Sequence, residues 1–172
     1  MRKVLAAAFA LTALTATTAR AQSPITWHAG IGLNLPQSDL GTGTGTGWGL
    51  MGGGDYWLHG SPIAIRGDLG YNHWGITGSS ESISGFNITA AALYPFKTTG
   101  GVKPYVDAGL GWYRVSSSVS GSSSESDIGF NFGGGINFMA GKTKMFADGR
   151  YHVVSHSGFG EDNIALMVGL RF

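Results

Sequence analysis

The last ten residues, N-I-A-L-M-V-G-L-R-F at 163–172, decide the fold. Apolar side chains occupy every second position of this stretch, namely Ile164, Leu166, Val168, Leu170 and Phe172. A period of two is typical of a β-strand, in which successive side chains point to opposite faces of the sheet. The stretch is therefore predicted to be a strand with one apolar face. The rest of the chain decides whether that face contacts a protein core or lipid.

The same alternation recurs upstream. Together with the terminal stretch it defines eight segments: 25–35, 48–57, 63–74, 86–96, 106–112, 128–138, 145–153 and 163–172. None of them has the 3.6-residue period of an amphipathic helix. A chain of 172 residues without cysteine excludes disulfides and thiolate metal sites and is expected to form one all-β domain.

The connections between these segments alternate in length. Short turns are expected at 58–62, 97–103 and 141–143, and longer polar loops at 37–46, 77–82 and 116–127, with an intermediate one at 156–162. In an up-and-down sheet, short and long connections then lie at opposite ends. This layout is typical of outer-membrane barrels, which have tight periplasmic turns and longer external loops.

The second face of the strands is polar. It carries three arginines and three aspartates: Arg66, Asp68, Asp107, Asp148, Arg150 and Arg171. A soluble barrel such as a lipocalin would turn this face to water, but a solvated surface normally also uses lysine and glutamate freely. Lysine is confined here to the turns and termini, and aromatic residues lie towards the strand ends, as interfacial girdles require. The aromatic residues in question are Trp27, Trp48, Tyr56, Trp57, Tyr94, Phe96, Trp112 and Phe172.

These observations predict an all-β, eight-stranded antiparallel up-and-down transmembrane β-barrel with an apolar outside and a polar lumen. The N-terminus predicts export, because Arg2 and Lys3 precede an apolar stretch at 4–14 and the small-x-small motif Ala19-Arg20-Ala21. Residues 1–21 are thus expected to be a cleaved signal peptide, and residues 22–172 the barrel in the outer membrane.

Four stretches carry a resemblance to a known family: K-P-Y-V-D-A-G-L-G-W-Y-R-V (103–115), F-N-F-G-G-G-I-N-F (130–138), F-A-D-G-R-Y-H (146–152) and the terminal G-L-R-F. Across residues 22–172 the sequence resembles the small eight-stranded outer-membrane barrels called OmpA-like or OmpX-like. The resemblance implies an assembly signal read by the barrel-assembly machinery, made of Phe172, Leu170, Val168, Leu166 and Ile164. It also implies periplasmic chaperones and outer-membrane lipids as partners. No peptidoglycan-binding domain is expected after the barrel.

The six lumenal charges form the first candidate site. An eight-stranded barrel is barely wide enough for its own side chains, so each buried charge needs a partner. We expect a salt-bridge network that plugs the lumen, with a gate for a narrow pore as the alternative. Glycines on the lumenal face would leave space for such a pore: Gly30, Gly32, Gly109, Gly111, Gly133 and Gly135.

The other motifs are weaker. Ser155-His156-Ser157 with Glu161 contains the groups of acyl hydrolysis, but adjacent strand residues point to opposite faces and the order differs from the His-x-Ser pair of barrel lipid A deacylases. The G-x-G-x-x-G match at 47–52 lacks a following helix, and His152 and His156 are too far apart along a strand to share a metal ion. The Gly-Thr repeat at 41–47 is expected to be a flexible loop.

The functional expectation is therefore a monomeric, non-enzymatic outer-membrane protein with a structural or surface-interaction role. A narrow passive pore for ions or small solutes is the first alternative, and an envelope lipid acyl hydrolase the second. No cofactor or metal is expected, and the net charge of only +1 gives no reason to expect nucleic acid. An external ligand could bind through the loops, although the serine-rich segment 116–127 lacks aromatic anchors.

Overall fold

The computed structural model describes residues 24–118, 124–156, 159–160 and 162–172. The predicted signal peptide lies outside the described residues. The strands are β1 Ile25–Pro36, β2 Gly47–Trp57, β3 Ala64–Gly75, β4 Ser82–Pro95, β5 Lys103–Ser117, β6 Glu125–Ala140, β7 Thr143–Val153, β8 Ser155–His156, β9 Phe159–Gly160 and β10 Asn163–Arg171. A 3₁₀ helix, η1, spans Ser38–Gly41. Within these residues no helix is long and apolar enough to cross a membrane.

Eight of the strands form one closed barrel in the order β1-β10-β7-β6-β5-β4-β3-β2, while β8 and β9 form a separate two-stranded hairpin. Every neighbouring pair in the barrel is antiparallel. The last residue completes the closure, because Trp27 and Phe172 exchange backbone hydrogen bonds of 2.9 and 3.0 Å. The prediction of an eight-stranded up-and-down barrel is confirmed, and closure leaves no open sheet edge.

The two faces of the barrel are those of a membrane protein. Apolar side chains such as Ile31, Leu110 and Phe130 point outward and are 51–64% exposed, whereas the buried side chains include Arg66 and Asn131 at 1% exposure. A soluble barrel has the opposite arrangement, because its apolar side chains fill the interior. The alternation read from the sequence therefore places the apolar face towards lipid.

Trp57 is not a girdle residue, contrary to the sequence-based expectation. Tyr56 points outward, so the next residue on the strand faces inward. There Trp57 packs against the buried cluster of Ala64, Leu93 and Tyr105, and its indole N–H donates to Thr26 Oγ1 at 3.2 Å. Trp57 thus contributes to the periplasmic end of the lumenal packing.

The first long loop has backbone partners, although its Gly-Thr repeat predicts a flexible segment. Thr44 forms an antiparallel bridge with Ile76, and Thr77 N–H donates to Gly43 O at 2.8 Å. Leu40 of η1 is only 3% exposed and lines the outermost lumenal cavity. The loop therefore folds across the external mouth and contacts the β3–β4 hairpin.

Candidate functional site: the charged lumen

The six predicted charges converge in the periplasmic half of the lumen, and Arg66 is their centre. It lies near the start of β3 and is 1% exposed. Its Nε donates to Asp55 Oδ1 of β2 at 2.7 Å, and its Nη1 donates to Asp107 Oδ2 of β5 at 3.0 Å and to Asp148 Oδ2 of β7 at 3.3 Å. One guanidinium thus bridges carboxylates on three other strands.

Arg150 is the second bridging cation. Its Nη1 donates to Asp68 Oδ2 at 2.8 Å, and its Nη2 donates to Asp107 Oδ2 at 3.2 Å. Asp107 therefore accepts from both arginines. Arg171, at the end of β10, donates from Nη2 to Asp55 Oδ2 at 2.5 Å. All six predicted residues belong to one connected set of ion pairs.

Asp55 and His28 also belong to this set, although neither was among the six residues predicted to form it. Asp55 is fully buried, and it separates the Arg66 and Arg171 guanidinium groups. His28 of β1 lies with Nε2 2.6 Å from Asp68 Oδ1 and Nδ1 3.9 Å from Asp55 Oδ1. Alternation from the aromatic Tyr56 would have placed Asp55 on the lumenal face, but the three glycines before Asp55 obscure the alternation.

The ionic layer is defined here as these eight side chains: His28, Asp55, Arg66, Asp68, Asp107, Asp148, Arg150 and Arg171. Four carboxylates against three guanidinium groups leave a formal charge of −1. Tyr105 adds a neutral donor, because its hydroxyl donates to Asp148 Oδ2 at 2.7 Å and its ring lies 4.8 Å from Arg66 Cζ.

Two of the lumenal glycines that the pore alternative invoked, Gly30 and Gly135, have side chains packed against them. A Cβ on Gly30 would lie 2.8 Å from the Phe146 ring, and one on Gly135 would lie 2.6 Å from the Tyr105 hydroxyl. Large side chains from other strands therefore occupy the volume beside these glycines. The glycines let Phe146 and Tyr105 pack across a narrow barrel.

The external half of the lumen is polar but largely uncharged. Asn34 Nδ2 donates to Asn72 Oδ1 at 2.8 Å, and the Tyr113 hydroxyl and His152 Nδ1 are 2.9 Å apart. The neutral polar layer comprises Asn34, Asn72, Asn87, Thr89, Tyr113, Asn131, His152 and Asn163. Two cavities of about 30 and about 20 Å³ border this layer, and the larger one also borders Asp68, Asp148 and Arg150 of the ionic layer. Each has room for about one water molecule, far below the 300–1,000 Å³ of a small-molecule site.

The other sequence motifs do not form a phosphate, catalytic or metal site in the described residues. Residues 47–52 belong to β2 and pair on both sides with β1 and β3, so they form no phosphate-binding loop. Ser157 and Glu161 of the hydrolase motif lie outside the described residues. In the described part of the chain, no group of three or more His, Asp or Glu side chains could hold a metal ion.

The sequence matches the outer membrane protein beta-barrel domain family over residues 6–172. The chain belongs to this family. No curated protein sequence matches it. Among solved structures, the Neisserial surface protein A (NspA) is similar with a TM-score of 0.70 and 23% identity, covering 87% of this chain and 96% of that one.

Two further solved structures show how varied this fold is in function. The attachment invasion locus protein Ail of Yersinia pestis has a TM-score of 0.53 and 18% identity, covering 86% of this chain and 97% of that one. The outer membrane enzyme PagL has a TM-score of 0.57 and 18% identity, and the match covers 86% of this chain and 98% of PagL. The family and these neighbours place the chain in the outer membrane. At such identities the shared fold does not decide between surface protein and enzyme.

Proposed function

We propose that this protein is a non-conducting outer-membrane barrel with a structural or surface-interaction role, whose lumen is plugged by the ionic layer. One observation carries the proposal, namely that Arg66 joins carboxylates of β2, β5 and β7 across the lumen. A charge that lined an open pore would face water and keep its hydration shell. Here Arg66, Asp55 and Asp107 are at most 4% exposed.

The energetics of buried ion pairs support a closed state. Each ion in the layer has given up its hydration, and the cost is offset only while its partners stay in place. An ion crossing the lumen would have to separate Arg66 and Arg150 from shared Asp107, where they lie 3.0 and 3.2 Å from the same oxygen. The two lumenal cavities, one of which borders Asp68, Asp148 and Arg150 of this layer, have no room for a hydrated ion.

Planar-bilayer recording of the refolded barrel tests the plug. We expect the wild type to be silent and Arg66→Ala to show openings, because the substitution removes the bridge between three strands. The matched control is Arg114→Gln, since Arg114 points outward from β5 and touches no ion pair of the layer. Stable, reproducible openings from folded wild-type protein would overturn the proposal and favour the pore alternative.

The surface-interaction part of the proposal concerns the external loops. Similar structures include a Neisserial surface protein and the attachment invasion locus protein, which has also been solved with the heparin analogue sucrose octasulfate. Replacing residues 37–46 by a short Gly-Ser turn should reduce adhesion of cells that display the barrel, while shortening the periplasmic turn at 58–62 should not. Equal adhesion by both variants and the wild type would contradict an interaction role for the loop at 37–46.

A non-enzymatic role is also part of this proposal, and the similarity to PagL makes it necessary to test it. Cells that express the barrel should retain lipid A of unchanged acyl-chain mass, measured by mass spectrometry. Loss of one acyl chain in wild-type cells but not in a His156→Ala strain would establish the hydrolase alternative instead.

We further propose that the outward row Phe172, Leu170, Val168, Leu166 and Ile164 is the signal that the barrel-assembly machinery reads. Phe172 is 42% exposed and pairs only through its backbone with Trp27, so its ring is available to another protein during assembly. Phe172→Ala should slow insertion in cells while refolding in detergent proceeds normally. Equal slowing in both settings would assign Phe172 to stability alone.

A further inference from the structure

One permanent charge lies on the outer face of the described strands. Apolar residues and glycine predominate at their outward-facing positions, the polar ones lie near the strand ends, and Arg114 of β5 is the only Arg, Lys, Asp or Glu among them. Arg114 is exposed and follows the outward residues Leu110 and Trp112 along the strand. Charged side chains are disfavoured on a lipid-facing surface unless they lie near its edge. The position of Arg114 therefore marks the external boundary of the apolar belt.

The neighbours of Arg114 fit this boundary. In the register of the sheet, it lies between Phe86 of β4 and Ser126 of β6. Phe86 and Trp112 pack edge to face with ring centroids 6.4 Å apart, below the arginine. Aromatic rings of this kind anchor a barrel at the level of the lipid headgroups. Arg114 thus lies at the level of the aromatic girdle, with its side chain exposed.

Hydroxyl groups surround the arginine on its external side. Ser116 Oγ and Ser124 Oγ are 2.9 Å apart, and Ser84 Oγ lies 3.2 Å from His73 Nδ1. Ser84 and Ser116 pair directly across β4 and β5. Together with Ser126, they form a row of small donors and acceptors beside one cation. Glu125 and Asp127, which flank Ser126 on β6, alternate to the other face of that strand.

We propose that Arg114, with Ser84, Ser116 and Ser126, binds the phosphate of an anionic glycolipid in the outer leaflet. A guanidinium recognises phosphate oxygens through two parallel hydrogen bonds, and hydroxyl groups complete the contacts to phosphate or sugar. The aromatic rings of Phe86 and Trp112 contact the first methylene groups of the same lipid. The apolar belt alone would bind acyl chains without distinguishing headgroups, so the charge confers the preference for an anion.

Native mass spectrometry of the folded barrel tests this site. The probes are diphosphorylated lipid A and the same lipid A after phosphatase removes its phosphates, so the acyl chains are matched. We expect the wild type to retain the phosphorylated form about fivefold better, the preference expected of one arginine at an anionic surface. Arg114→Gln should abolish the preference, and Arg114→Lys should keep part of it.

The matched control is Lys97→Gln, which removes an exposed cation from the periplasmic turn. It should leave the preference unchanged, and circular dichroism should show every variant folded. An unchanged preference in Arg114→Gln would overturn the proposal, as would equal losses in Arg114→Gln and Lys97→Gln, which would indicate non-specific attraction. Arg114-dependent binding of a soluble sulfated sugar, with equal lipid retention by wild type and Arg114→Gln, would also overturn it by assigning the site to another ligand.

Discussion

The two halves of the lumen bury their polar side chains in different ways. In the periplasmic half, eight ionisable side chains fill the barrel and all belong to one set of ion pairs, although Asp107 Oδ1, Arg150 Nε and Arg171 Nη1 have no hydrogen-bond partner within the described part of the chain. In the external half, amide and hydroxyl side chains fill it with fewer mutual hydrogen bonds. One cavity lies among these side chains, and another lies between them and Asp68, Asp148 and Arg150 of the ionic layer. Asn87 Oδ1 and Thr89 Oγ1 have no protein partner in the described part of the chain.

This difference follows from the cost of leaving a group unpaired. An isolated buried charge is far more costly than an isolated buried hydroxyl, so each buried charge needs a counter-ion, whereas neutral groups tolerate a missing partner or a water molecule. The ionic layer is therefore expected to be rigid and intolerant of single substitutions. The neutral polar layer is expected to accept changes of chemistry at constant shape.

The largest expected effect comes from breaking the ionic layer at its centre. Arg66→Ala leaves Asp55, Asp107 and Asp148 without their shared cation and should lower the free energy of unfolding by about 3–5 kcal/mol. Denaturant unfolding in detergent micelles measures the change. Lys142→Ala in the exposed β6–β7 turn is the control and should be nearly neutral. A loss below about 1 kcal/mol in Arg66→Ala would show that the layer is well hydrated.

A smaller effect is expected where a lumenal glycine is replaced. A Cβ on Gly32 would lie 1.9 Å from Leu166 O, so Gly32→Ala must shift the β1–β10 pairing. We expect a loss of about 1–3 kcal/mol in the free energy of unfolding. The control is Gly67→Ala, because Gly67 points outward with no atom within 4 Å of its Cβ position. That variant should be neutral or gain about 0.4–1 kcal/mol through its less flexible unfolded chain. Similar losses in both variants would contradict the close-packed lumen.

The smallest effect is expected in the neutral polar layer. Thr89→Val keeps the shape of a side chain that is 3% exposed and removes a hydroxyl without a protein partner. Its free energy of unfolding should change by less than about 0.5 kcal/mol, or rise slightly. The same micelle unfolding assay applies. A loss above about 2 kcal/mol would mean that Thr89 is held in a hydrogen-bonded network as demanding as the ionic layer.

The local pattern of the chain was sufficient for the architecture. Alternation placed Ile31 and Leu110 outside and Arg66 and Asp148 inside, because strand geometry sends successive side chains to opposite faces whatever their partners. The charged residues could be assigned to the lumen for the same reason. The alternation was obscured where glycines interrupt it, as before Asp55, and it was misapplied at Trp57, which faces inward because the preceding Tyr56 faces outward.

By itself, the sequence determined the number of strands, their faces, the short and long ends and the residues available to the lumen. Only the tertiary structure decided which of those residues meet. Arg66 pairs with Asp107 and Asp148, 41 and 82 positions away, and Arg171 pairs with Asp55, 116 positions away. The reason is that barrel closure and strand stagger set the height of each side chain, and neither is encoded in the period-two pattern of any one strand.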